Sequence, residues 1–243
     1  MRKIHAALIV FAMLTLTACN HARVQTQEAY MGPQTARPDR ILVGYFAISP
    51  EQVRLDQGIG ARIIRVAGDQ PPSVLEQQAA RATQVALAGR LVEDLRKYGL
   101  PAEYTSSAAV PGTSLLVTGQ IVTIDQGNRS RRILIGLGAG KSSVSADMQL
   151  YYQVPGQAPR FMNAFQGQAD SGHMPGAAET MGVGAAAGTL AGSAAVSGAM
   201  HMGAESRTAP DTSEAGRLAD GLARQIGEFA VSMGWIAPAA LAR

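Results

Sequence analysis

The sequence predicts an α+β domain: a small, mostly antiparallel sheet covered by two amphipathic helices, with a Gly/Ala-rich segment before the last helix. Three observations carry this expectation. Leu75 to Leu95 and Leu218 to Met233 repeat apolar residues at three- and four-residue intervals, the period of a helix with one buried face. Val144 to Val154 alternates apolar and polar residues, the period of a half-buried strand. The runs 41–48 and 114–124 are β-branched and of strand length.

In chain order, Ile41 to Ile48 reads as a buried strand ending at Ser49-Pro50. Ala61 to Val66 reads as a second short strand, closed by Gly68-Asp69. Pro71-Pro72-Ser73 opens the first helix, with Ser73 and Glu76 at capping-box spacing. Its stripe is Leu75, Ala79, Ala82, Val85, Ala88, Leu91, Val92 and Leu95. Glu93, Asp94, Arg96 and Lys97 mark its wet side, and Gly99 and Pro101 stop it. Ser114 to Ile124 is a strand in which Gly119 signals a bulge or a close contact. Val144–Val154 and Arg160–Gln168 form two more, joined by the turn at Pro155-Gly156. The closing helix runs from about Ser213 to Met233 with Leu218, Leu222, Ile226, Phe229 and Met233 on its stripe, Gly234 as its cap and Trp235 as a packing plug.

The amino terminus has a different character. Arg2 and Lys3 precede an apolar run, Ile4 to Ala18, which ends in Leu16-Thr17-Ala18-Cys19. A basic start, an apolar stretch and small residues are the order of an export signal with a cleavage site. With cysteine first after the cut, it resembles the lipobox of bacterial lipoproteins. That resemblance implies a thioether-linked diacylglyceryl group on Cys19 and an acylated amine, and several acyl chains hold a protein stably to a bilayer. Asn20 in place of aspartate implies the outer membrane, facing the periplasm. The expected organisation is a signal peptide over 1–18, a lipidated flexible tether over 19–39, a domain over 40–236 and a short tail over 237–243.

Cleavage changes the charge argument. Removing 18 residues from 243 leaves 225, and the 21 basic residues fall to 19 against 18 acidic. The basic excess that nucleic-acid binding calls for is absent from the mature chain. Cys19 is the single cysteine, so acylation excludes disulfides, thiol catalysis and cysteine metal sites. His21, His173 and His201 are far apart in sequence, so neither a metal nor a cofactor is expected.

Gly136-Leu-Gly-Ala-Gly-Lys-Ser142 invites a nucleotide reading, but the phosphate loop needs glycine at 135, where isoleucine stands. Strand alternation follows it instead of the required helix. A glycine-rich connection between strands accounts for the run. Arg129, Arg131, Arg132 and Lys141 flank it, and together they are a candidate site for an anion or an acidic partner surface. The alternative is a solvated basic loop.

Met181 to Met200 carries no charge and holds seven Ala and five Gly. Gly184, Gly188 and Gly192 recur at four, the spacing that lets helices approach closely. As a helix it would span about 30 Å, although each glycine costs roughly 0.8–1 kcal/mol relative to alanine. Three readings stand: helical pieces packed on the domain (the zipper-like part being 176–203), a linker, or a membrane-inserted or self-associating zipper. Asp170-Ser-Gly-His173 contains triad residue types but reads as a polar turn, because no Gly-x-Ser-x-Gly elbow exists. Glu93-Asp94 reads as solvated surface and not as an acid/base pair.

The order of these features is similar to that of a bacterial lipoprotein family, domain of unknown function 4410. The likeness rests on Leu-Arg-Lys-Tyr-Gly-Leu100, Leu-Val-Thr-Gly-Gln-Ile121, the run Asn128 to Ser143 and the helix ending Gly-Trp-Ile236. It covers roughly 40–236 and implies no activity to carry over. More loosely, the order is similar to periplasmic α/β modules of curli-secretion and cell-wall-synthase activator lipoproteins, and a shared fold does not give a function. The expected role is non-enzymatic: envelope binding or assembly, with the membrane, another envelope protein or the chain itself as partner, and neither nucleic acid nor nucleotide. The alternative is a zipper-driven oligomer that inserts into or remodels the membrane.

Overall fold

The structure is a computed structural model that describes residues 22–68, 70–106, 112–135, 138–172 and 210–242. Among them are seven strands, β1 (Arg23–Glu28), β2 (Arg40–Val43), β3 (Val53–Arg54), β4 (Ala102–Tyr104), β5 (Ser114–Asp125), β6 (Ser143–Gln153) and β7 (Arg160–Asp170). The four α-helices are α1 (Ile59–Ala67), α2 (Pro72–Lys97), α3 (Arg129–Leu134) and α4 (Pro210–Ser232).

The strands form one sheet in the order β1-β7-β6-β5-β2-β4, with β3 also on β5. Strands β1, β7, β6 and β5 pair antiparallel, whereas β2 pairs parallel with β5 and β4, and β3 parallel with β5. This overturns the expected small, mostly antiparallel sheet under two helices: among the described residues the sheet is seven-stranded and mixed, and four α-helices accompany it. The parallel part follows from α2, which leaves after β2 and β3 and returns the chain to β4 beside β2, the crossover that parallel strands require.

Helices α2 and α4 pack on each other and cover one face. That face takes Leu115, Val117, Ile121 and Ile124 of β5 and Val144, Ala146, Met148, Leu150 and Tyr152 of β6, all buried. The alternation seen in 144–154 is the observed one. Leu218, Leu222, Ile226 and Phe229 of α4 and Met233 just after it are buried as expected, and Gly234 follows at φ 74°. The opposite face of the sheet is polar and partly open, with Gln166 donating to Asp147 at 3.2 Å.

Five local expectations fail. Ala61–Val66 lies in helix α1, where its branched apolar residues gather on one helical face. Strand β1 occupies part of the stretch read as a tether, and residues 34–37 are also held down. Edge strands need no apolar alternation on their open side, so Arg-Val-Gln-Thr-Gln-Glu gives little signal. Helix α2 begins at Pro72 with Pro71 as its cap and no side-chain cap bond, so Ser73 lies inside the helix and the capping box does not form. In its first half the buried face rotates: Ala82 and Val85 are exposed, while Thr83 and Leu87 are buried. Finally, Asp94 is buried where α2 meets α4, 3.1 Å from Arg90 and 2.9 Å from Lys97, so only Glu93 of the pair is solvated. Burial, followed by the nearby Asp220 carboxylate, pushes the Asp94 carboxyl up.

Candidate functional site

The registers bring many chain segments to one end of the sheet. Asp125 at the end of β5 pairs with Ser143 of β6 and Arg54 of β3, and Ser143 pairs with Asp170 of β7. Arg23, the first residue of β1, pairs with Gln168 two residues before that end. Helices α1 and α3 and the start of α4 also lie here.

Three loops are knitted into a platform at this end. The Gln126 side chain accepts from the Asp56 amide at 3.1 Å, and Gln57 donates its amide to the Gly127 carbonyl at 2.9 Å. The Asp56 carboxylate accepts from the amides of Gly58 at 2.8 Å and Arg129 at 3.2 Å. Asn128 caps α3 by accepting from the Arg131 amide at 3.0 Å. Gly127 and Gly140 hold positive φ of 69° and 74°, and a Cβ on either would collide with the backbone of the facing loop. Residues 138–142 lead from this platform directly into β6, so a strand and not the helix of a phosphate loop follows the run.

The four predicted basic residues reach this end but do not act alike. Arg132 is buried at 6% exposure and donates to the carbonyls of Gln126 at 3.1 Å and Gly140 at 2.9 Å, so it is a post inside the platform. Lys141 sits 3.6 Å from Asp170. Arg129 is half-buried and Arg131 is exposed. The anion-facing group is therefore smaller than the sequence cluster. Three exposed arginines that sequence reasoning does not gather, Arg23, Arg54 and Arg62, stand at the same end. Strand register places Arg23 and Arg54 there, and helix α1 carries Arg62.

Beneath the platform lies a buried polar network. Glu214 of α4 is 1% exposed and accepts from the Ser142 hydroxyl at 2.9 Å and from Arg217 at 2.9 Å. Arg217 also donates to the Asp170 carbonyl at 3.1 Å, fastening α4 to the end of β7. Burial pushes the Glu214 carboxyl above its ordinary 4.5, against the pull of Ser142 and Arg217. A raised folded value means that the native state holds this proton more tightly than the unfolded chain does. The resulting stability is fully present below the ordinary value and is lost as pH rises through the folded value. Glu214→Gln should therefore be more stable than the parent at neutral pH, and the difference should shrink as pH falls toward 4.5 and vanish below it. Urea titrations of both chains across that range check it, and a parent that is the more stable at neutral pH contradicts it.

Cys19, Gly184, Gly188, Gly192, His21, His173 and His201 lie outside the described residues. Among the described residues no group of three or more His, Cys, Asp or Glu is placed to hold a metal ion, and no helix is long and apolar enough to cross a membrane.

Comparison with solved structures finds a likeness to a point variant of the PelC dodecamer from Paraburkholderia phytofirmans, at 14% identity and a TM-score of 0.29, covering 61% of this chain and 81% of that one. No curated protein matches. The family model described as domain of unknown function (DUF4410) matches residues 41–188, from the first residues of β2 through β7 and beyond. That match takes in the sheet core, α2 and the whole platform, and the chain belongs to the DUF4410 family.

Proposed function

We propose that the chain is a bacterial outer-membrane lipoprotein, anchored through Cys19, whose periplasmic α/β domain is a non-enzymatic binding or assembly component of the envelope. The observation that carries this reading is the short distance in sequence between the export signature and the fold. Strand β1 begins at Arg23, four residues after Cys19. An acylated Cys19 holds that end of the sheet within about 14 Å of a bilayer. The non-catalytic part rests on the use of the buried ionisable groups: Glu214, Arg132 and Asp94 all serve internal networks.

Cys19→Ser tests the anchor. The variant is expected in the soluble periplasmic fraction, unfolding at the same temperature as the parent and lacking the mass of the acyl groups. Continued fractionation with the outer membrane overturns this reading. Photo-crosslinking from Arg131 in intact cells then identifies the partner.

The self-associating reading keeps one supporting observation. Residues 173–209, which include Gly184, Gly188 and Gly192, leave after Gly172 and return at Pro210, both at the anchored end. A large assembly on gentle detergent extraction supports that reading, and a monomer supports the simple module.

A further inference from the structure

Helix α1 is turned inside out. Its sequence, Ile-Gly-Ala-Arg-Ile-Ile-Arg-Val-Ala, gathers the branched apolar residues on one side. An ordinary surface helix buries that side. Here Val66 is 88% exposed, Ile64 73%, Ile59 72% and Ile63 64%, and no residue of the helix is buried. Ala61 and Arg65 turn inward instead, and Arg65 lines a cleft with Val53, Leu55, Pro72, Glu76 and Asp125. Leu134 and Ile135, at the end of α3, are exposed at the same end of the sheet. Four large aliphatic side chains on one nine-residue helix are a patch that needs a cover.

Charge and position say what covers it. Arg23, Arg54, Arg62 and Arg131 are exposed at this end. Three of the carboxylates there are already engaged: Asp125 lies 3.9 Å from Arg54, Asp170 lies 3.6 Å from Lys141, and Asp56 accepts two backbone amides. An apolar stripe bordered by arginines is the composition of a helix that lies in an anionic interface. Strand β1 stands four strand spacings from β3, about 19 Å across the same end. A lipid on Cys19 therefore brings the bilayer to the end of the sheet from which α1 projects.

We propose that α1 is a membrane-docking helix, lying flat on an anionic bilayer with Ile59, Ile63, Ile64 and Val66 among the acyl chains and Arg62 at the phosphates. This rests on the lipid-anchor reading. Anchor and helix together fix the orientation of the domain, presenting the open polar face of the sheet and the opposite end to the periplasm.

The test uses the processed full chain carrying Ile64→Cys, labelled with an environment-sensitive fluorophore and reconstituted in phosphatidylethanolamine/phosphatidylglycerol vesicles. Gln157→Cys, in the β6–β7 turn at the far end, is the reference. The label at 64 is expected to emit at shorter wavelength and to lose emission to brominated acyl chains, while the label at 157 loses it to aqueous iodide. Quenching of position 64 by iodide as at 157 overturns the proposal. So does shielding from both quenchers, because the face is then covered by protein, from this chain or a second copy. Labelling of Cys19 itself reports failure of the anchor reading separately, since an acylated cysteine has no thiol to label. Ile64 lies outside the hydrophobic core, so its substitution leaves the fold intact, and Val66→Cys serves as a second probe expected to give the same result.

Discussion

Trp235→Ala is expected to cost about 3–5 kcal/mol of unfolding free energy, the range for removing a buried aromatic side chain. Trp235 is buried and closes the end of the core opposite the platform. Its ring stacks on Tyr152 at 6.2 Å between centroids and meets the edge of Phe229 at 5.4 Å. Its indole nitrogen donates to the Thr35 carbonyl at 2.9 Å. Neighbouring bonds complete a clasp: Tyr152 donates to the Ala36 carbonyl at 3.0 Å, and Arg37 donates to the carbonyl of Trp235 at 3.3 Å. The residue thus joins the end of α4, the sheet and the segment that leads from β1 to β2. Trp235→Phe keeps most of the apolar surface and loses the Thr35 bond, so about 1–2 kcal/mol is expected of it. Urea unfolding followed by circular dichroism measures both, since the substitutions remove the single tryptophan. Equal costs for the two variants would show that the hydrogen bond, not the packing, dominates.

The elements legible in the sequence are those buried on one face over many residues. Strand β6 matches its alternation because every second residue meets α2 or α4, and α4 matches its stripe because its whole length lies on the sheet. Helix α2 matches at Ala79 and again in its second half, where Ala88, Leu91, Val92 and Leu95 are all buried. Strands β3 and β4 have two and three residues, too few to show a period. Helix α1 is hidden for a further reason. Ile-Ile-Arg-Val is β-branched, and that composition signals a strand when burial in a sheet is assumed, whereas these residues face away from the core.

The site was legible in composition but not in geometry. Arg129, Arg131, Arg132 and Lys141 stand out as a cluster because they are close in sequence. Sequence spacing could not reveal that Arg132 points into the platform, because that depends on the carbonyls of Gln126 and Gly140 closing over it. A quadruple substitution of the cluster would thus confound loss of binding with loss of the platform, and binding variants should leave Arg132 in place. Arg23, Arg54 and Arg62 join the others only because the start of β1, β3 and α1 meet at the same end of the sheet.

Gly119→Val carries the other large expected effect, about 3 kcal/mol or more, with loss of cooperative unfolding if the domain has little stability to spare. Gly119 lies in the middle of β5, where a β-branched residue ordinarily favours a strand. Local propensity and packing therefore predict opposite signs. Packing decides, because a Cβ at this position would overlap the Phe46 ring on one side and the Asp147 carbonyl of β6 on the other. Phe46 is fully buried, and the chain beside it bridges to β5 through the Ala47–Gln120 pair, so the ring has no free volume to enter. Truncating the ring should relieve only part of the strain. In the double variant Gly119→Val/Phe46→Ala the two costs should be less than additive, yet the chain should remain less stable than Phe46→Ala alone, because the Asp147 carbonyl is backbone and cannot withdraw without breaking the β5–β6 ladder. Full rescue by removal of the ring would place all the strain on Phe46 and refute the backbone contact. The expectation of a close approach at Gly119 then acquires a specific cause: the strand gives up a side chain so that Phe46 can lie flat across it and close the core above β2.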